Sequence, residues 1–287
     1  MTIRSFRNTI VENLQPLYDS REAAAIAKVY LQTRLNMPAY ELALHGDEVV
    51  PDAQLAVFEQ DLTALLRGCP VQYLLGETEF YGLPFRVTPA VLIPRPETEE
   101  LVQRVVNGFR EYPNPRIWDV GTGSGCVAVA LAKHLPNASL FASDISEEAL
   151  AVAAGNAHAN AVNVTFARHD MRDAEALPFA GTQFDAVVSN PPYIPESTCT
   201  EMHVAVRDYE PSLALFVPDD DPLVFYRALV EIGRRSLEPG GLIMMETYEE
   251  FHPQLLEMLR QGGYEDEESL EDINGRKRFC AAVLRRQ

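Results

Sequence analysis

Asp119-Val120-Gly121-Thr122-Gly123-Ser124-Gly125 follows the apolar pair Ile117-Trp118 and precedes Cys126-Val127-Ala128-Val129, so an apolar run breaks on three glycines and then resumes. Such a break reads as a buried strand turning into a helix. Glycine adopts positive φ without steric penalty, and the helix start aims unpaired backbone N–H groups at whatever occupies the turn. Taken alone, the glycines also fit a tight turn that binds nothing. Their spacing differs from the G-x-G-x-x-G of dinucleotide sites, and an acid precedes them.

Working outward, the chain alternates strand with helix. Strands are predicted at 117–120, 139–143, 163–167, 184–189 and 242–246, and helices at 126–134, 147–160 and 223–236. That alternation predicts a doubly wound, mostly parallel sheet with helices on both faces. Two further strands, at 264–271 and 278–284, can close its edge. The second strand ends in Asp144, where an acid can accept hydrogen bonds from both hydroxyls of a ribose. Asp144 can equally cap the helix that begins after Ser146.

Upstream, apolar residues from Ser5 to Leu66 recur at helical spacing, with breaks at Pro16, Met37-Pro38, His45-Gly46-Asp47 and Val50-Pro51. This predicts a bundle of three or four short helices. Glu79 to Val87, around Gly82-Leu83-Pro84, reads as a β-hairpin bridging to the next domain. The expected division is a helical domain at 1–72, a hairpin linker at 73–95 and the α/β domain at 96–287.

The 42 acidic and 24 basic residues give a formal net charge of −18, which repels a phosphate backbone and argues against direct nucleic-acid binding. Lysine is confined to Lys28, Lys133 and Lys277. Cys69, Cys126, Cys199 and Cys280 are scattered and the histidines form no ligand pattern, so no metal is expected and the thiols read as reduced. No apolar run has the length of a membrane span or a signal peptide, so the expected setting is the cytoplasm. With no heptad seam, a monomer is expected.

At the end of the fourth strand of the α/β region stands Asn190-Pro191-Pro192-Tyr193. Two consecutive prolines remove two backbone donors and extend the residues before them. What remains is a pair of acceptors, the Asn190 side-chain oxygen and the Pro191 carbonyl, which suits a planar –NH2 group with two N–H donors. Tyr193 is expected to pack on that planar group. The motif does not separate a glutamine amide from an adenine.

D-x-G-x-G-x-G followed by an acid resembles the class I S-adenosylmethionine-dependent methyltransferases, which implies a Rossmann-like domain. By that resemblance Gly121, Thr122, Gly123, Ser124 and Gly125 line the methionine and ribose portion of S-adenosyl-L-methionine, Asp144 holds the ribose, and Asp170 and Met171 meet the adenine. Asn190 borders cofactor and substrate, with Pro191, Pro192 and Tyr193 on the substrate side. Adding Phe80-Tyr81-Gly82-Leu83-Pro84-Phe85-Arg86-Val87 and Ile93-Pro94-Arg95-Pro96-Glu97-Thr98-Glu99, the chain closely resembles the peptide chain release factor N5-glutamine methyltransferases. The resemblance implies methyl transfer to the glutamine of the Gly-Gly-Gln loop, with release factors as partners and S-adenosyl-L-homocysteine as product. A sister family methylates a glutamine of a ribosomal protein and shares N-P-P-Y. Adenine-N6 methylation is disfavoured by charge. Arg95 and Glu97 read either as shaping the entrance of the site or as an interdomain salt bridge. Departures from the family pattern occur at Asp219-Asp220-Asp221-Pro222 and at Thr247-Tyr248.

Overall fold

The computed structural model describes residues 1–286, apart from the side chain of Ala53, and separates into two compact units. One comprises Met1–Glu77 together with His203–Tyr209, and the other Thr78–Met202 and Glu210 onward.

The first unit is helical: α1 (Ile3–Leu14), α2 (Ser20–Leu35), α3 (Ala39–Leu44), α4 (Asp52–Leu66) and α5 (Val71–Leu75). Thr2 and Ser5 form a reciprocal capping pair on α1, and Asp19 accepts from the N–H groups of Arg21 and Glu22 to start α2. Phe6, Tyr30 and Phe58 pack at its centre, and the buried Tyr30 hydroxyl donates to Asp61 at 2.8 Å. The late segment 203–209 belongs here through its own bonds. His203 Nε2 meets the Leu17 carbonyl at 2.9 Å, and the Tyr209 hydroxyl donates to the Arg67 carbonyl at 3.1 Å.

A hairpin, β1 (Glu77–Phe80) and β2 (Leu83–Arg86), which lies in the second unit from Thr78 on, precedes α6 (Pro96–Phe109). Rather than only bridging, it buries Phe80 and Phe85 in the same core as Leu101, Val105 and Val127. There follow β3 (Arg116–Val120), α7 (Cys126–His134), β4 (Ser139–Asp144), α8 (Glu147–Ala159), β5 (Val164–Arg168) and β6 (Phe184–Ser189). A two-residue ladder pairs β7 (Ile194–Pro195) with β8 (Phe216–Val217), while the short α9 (Val204–Arg207) lies in the helical unit. The chain closes with α10 (Val224–Ser236), β9 (Leu237–Glu246), α11 (His252–Gln261), β10 (Tyr264–Glu271) and β11 (Lys277–Leu284).

The seven-stranded sheet runs β10-β11-β9-β6-β3-β4-β5, and only β11 opposes the others. Alternation along the strands divides its side chains between two cores. Ile117, Ala186 and Val188 face the layer of α6, α7 and α8, whereas Trp118, Val120 and Val187 face α10 and α11. Both faces being covered explains why these strands read as continuous apolar runs. Trp118 is fully buried and donates its indole N–H to Ser143 Oγ at 3.0 Å.

From β3 the chain proceeds to β4 and β5 on one side, then returns to β6 on the other. The carboxyl ends of β3 and β6 therefore flank a topological switch point, where helices diverge and leave a crevice. The glycine turn follows β3 and N-P-P-Y follows β6, so strand order alone brings the two motifs to one place.

Gly125 caps α7 at φ 79°, and a Cβ there would stand 2.9 Å from Ala153 Cβ on α8. Gly125→Ala combines a left-handed backbone penalty with overpacking, together about 2–4 kcal/mol. We expect a Tm several degrees lower by thermal denaturation; an unchanged Tm would contradict the close packing of α7 on α8.

Candidate active site

The crevice is a cavity of about 360 Å³ lined by residues from seven stretches of the second unit. Gly121 to Ser124 form one wall, Asp144 to Ser146 the next, and His169 to Arg172 another. Asn190 and Pro192 also line it, joined by Val91, Leu92, Pro94, Arg95 and Thr98 from the segment after the hairpin. Leu213, Ala214 and Phe225 complete the lining.

The glycine turn is shaped by positive φ at 121, 123 and 125 (75°, 53° and 79°). A Cβ on Gly123 would meet no atom within 4 Å, so the bare backbone there leaves cavity space that a side chain would enter. On Gly121 the same atom would sit 2.8 Å from Met171 Cε, a movable side-chain tip, so it is the φ of 75° that favours glycine there. Asp119 lies beneath, fully buried, and accepts from Thr122 Oγ1 at 2.6 Å. Burial pushes its carboxyl up to about 7, against the opposing effect of that hydrogen bond.

Asp144 ends β4 with its carboxylate held by backbone. Oδ2 accepts from Gly123 N at 2.8 Å and Oδ1 from Ser146 N at 3.0 Å. Ser146, not Asp144, caps α8 by accepting from Ala149 N. Burial raises the Asp144 pKa, partly offset by the N–H donors. Each oxygen keeps a lone pair, so an acceptor for vicinal hydroxyls remains in the cavity wall.

Asp170 and Met171 also line the cavity, but the Asp170 carboxylate is chelated by Arg172, with Nη2 at 2.6 Å and Nε at 3.0 Å, which lowers its pKa. What this wall offers a flat ring is therefore Met171 and the backbone beside an occupied carboxylate.

Of N-P-P-Y, Asn190 and Pro192 face the cavity. Pro191 is buried, and the Tyr193 ring stacks near Tyr248 with centroids 6.2 Å apart. The Tyr193 hydroxyl donates to Glu246 Oε1 at 3.3 Å, and burial raises its pKa. Pro191 and Tyr193 are outside the cavity lining, and the Tyr193 ring packs beside Tyr248. Two residues absent from the sequence-based set complete the motif. Asn190 Nδ2 donates to Thr98 Oγ1 at 3.1 Å, and that hydroxyl donates to Glu246 Oε2 at 2.7 Å. Thr98 stands inside Pro-Arg-Pro-Glu-Thr-Glu, while Glu246 gave only the local signal of an acid ending a strand.

Arg95 faces the cavity and is also an ion-pair partner. Its Nη2 donates to Glu210 Oε1 at 2.6 Å, and Ile93 N donates to Oε2 at 3.3 Å. Glu210 belongs to the same unit, so the pair is internal to it rather than interdomain. Burial raises the Glu210 pKa and the guanidinium opposes that rise.

Residues 117–208 match a family described as "Methyltransferase domain", and residues 9–76 match "PrmC N-terminal domain". A release factor glutamine methyltransferase from Bacteroides thetaiotaomicron is 41% identical over 95% of this chain and 97% of its own. The chain belongs to the release factor glutamine methyltransferase family. A second member, from Flavobacterium psychrophilum, is 39% identical over 99% of this chain and 100% of its own. Among solved structures, the 16S rRNA N2 G1207 methyltransferase of T. thermophilus, in complex with AdoMet and guanosine, aligns with a TM-score of 0.52. It is 18% identical and covers 73% of this chain and 50% of that one, a likeness of fold. Among the described residues, no helix of this family member is long and apolar enough to cross a membrane.

Proposed function

We propose that this chain transfers the methyl group of S-adenosyl-L-methionine to the side-chain amide nitrogen (N5) of the glutamine in the Gly-Gly-Gln motif of class 1 peptide chain release factors, modulating translation termination. The observation that carries this reading is one cavity lined by the glycine turn, by Asp144 and by Asn190 at its reacting end, in a chain belonging to that family.

When bound, S-adenosyl-L-methionine supplies a methyl group on positively charged sulfur, whose departure leaves the neutral thioether S-adenosyl-L-homocysteine. Gly121, Thr122, Gly123, Ser124 and Gly125 would cradle its amino-acid and ribose portions, Asp144 would accept from the ribose hydroxyls, and Asp170 and Met171 would border the adenine. Asn190 Oδ1 and the Pro191 carbonyl would accept the two amide N–H donors of the glutamine, with Pro192 and Tyr193 stiffening that segment. An amide nitrogen is a poor nucleophile because its lone pair is delocalised, so rate comes from alignment and electrostatics. Methyl transfer to that nitrogen would release one of its protons, while Asn190 Oδ1 and the Pro191 carbonyl would hold the amide in line. No strong general base is required.

The helical unit would recognise the folded release factor while the cavity admits only the loop tip. A net charge of −18 suits a partner with a basic surface. We place the reaction in the cytoplasm, carried out by a monomer.

The test offers methyl-labelled S-adenosylmethionine with a recombinant release factor, total ribosomal protein or DNA, followed by mass mapping. Label on the Gly-Gly-Gln glutamine is the expected result. Label on a ribosomal protein would assign the sister activity, label on adenine would overturn the charge reasoning, and no label would overturn the reading altogether.

A further inference from the structure

Asn190 presents a carboxamide with two unlike ends, and only its oxygen can accept from a substrate –NH2. Rotation of the amide by half a turn would offer a second donor to a donor, and the site would repel the group it must hold. Something must fix the rotation. The Nδ2 end donates to Thr98 Oγ1 at 3.1 Å. A threonine hydroxyl has a single proton, and here it is directed to Glu246 Oε2 at 2.7 Å, leaving its lone pairs to accept from Asn190. Glu246 is 1% exposed and its other oxygen takes the Tyr193 hydroxyl, so both oxygens act as acceptors. The order of donors therefore runs one way, from Asn190 through Thr98 to Glu246.

We propose that Thr98 and Glu246 are positioning residues that set the polarity of the Asn190 amide, turning its oxygen toward the substrate nitrogen. The inference rests on the proposed glutamine methylation for its kinetic consequence, but the orientation itself is readable without substrate.

Protonation reverses the relay. A neutral Glu246 donates to Thr98, whose proton then turns to Asn190 and draws the amide oxygen away from the cavity. Burial pushes Glu246 up to about 6, against Thr98, Arg278 and Tyr193, which favour the carboxylate. The other groups facing it are Glu97 on α6, Cys126 on α7 and Tyr226 on α10. The unprotonated relay is the working form, so activity should be full above the Glu246 pKa and fall as pH drops through about 6.

Three variants test this. Thr98→Val keeps the shape and removes the hydroxyl. Its kcat should fall roughly 10²-fold, the scale of a misaligned reacting group, with S-adenosylmethionine Kd within about 2-fold. Thr98→Ser should recover most of the rate. Glu246→Gln should abolish the acid limb of the kcat profile. Without substrate, the Asn190 side-chain NH2 resonances in the intact protein should shift with pH, move in Thr98→Val and lose their pH dependence in Glu246→Gln. A Thr98→Val enzyme with wild-type kcat, a loss that Thr98→Ser does not repair, or Asn190 resonances indifferent to both substitutions would overturn the proposal. If the resonances respond as expected while wild-type protein leaves the release factor unmodified, the relay stands and the assigned substrate falls.

Discussion

Asn190→Ala is expected to lower methyl transfer by roughly 10³-fold or more while leaving S-adenosylmethionine affinity within about 3-fold, a loss comparable to deleting a key transition-state hydrogen-bonding group. Asn190 lies at the reacting end of the cavity, and its amide is linked to Thr98 rather than to the glycine turn. On the proposed reading, removing the amide would deprive the substrate nitrogen of an acceptor as positive charge develops on it. The cradle at Gly121 to Gly125 and its brace, Asp144, remain in place. Single-turnover rates with a release factor, beside calorimetric titration of the cofactor, separate the two quantities. A variant that transfers methyl at a tenth of the normal rate would show that Asn190 contributes little beyond shape.

Asp144→Ala should show the opposite pattern, with cofactor affinity weakened about 10²-fold, or about 2.7 kcal/mol. That magnitude is what charge-assisted hydrogen bonds of roughly 1.5–3 kcal/mol each allow. The carboxylate ties Gly123 N and Ser146 N to one point, so it organises the turn, and on the proposed reading it would also offer oxygens to a ribose. Its removal leaves two N–H groups without their acceptor beside the cavity. At saturating cofactor the rate should recover most of its normal value. Equal losses of cofactor affinity in Asn190→Ala and Asp144→Ala would end this division of labour.

Much of the site was legible because its signals are local. Glycines that need positive φ and paired prolines that forbid donors act within a few residues, and Cys126–His134 and Phe184–Ser189 have the bounds that periodicity predicts. Where the reading fell short, long-range pairing was the cause. Thr98 and Glu246 meet across 148 positions, and neither has a neighbour that announces the other. Strand β9 begins at Leu237 rather than Leu242 because Pro239-Gly240-Gly241, which reads as a turn, forms an irregular stretch between the Phe184–Leu237 and Ala186–Leu242 pairs. Helix α11 was not among the predicted elements; it starts at His252-Pro253, where proline in the first turn is favourable. The two-residue ladder of β7 and β8 is too short to have a period at all.

Segment 203–209, which completes the helical unit from far along the chain, bears on how such a protein can be rearranged. Its bonds to Leu17 and Arg67 make the unit discontinuous. Cutting after Glu77 would release five helices but strip them of that closing piece, and the remainder would keep a strip of chain fitted to a body it no longer has. Recombination that grafts the first 77 residues onto another catalytic domain would transfer an incomplete module. Exchange of specificity between relatives therefore has to move both pieces together, or to proceed by substitution within them.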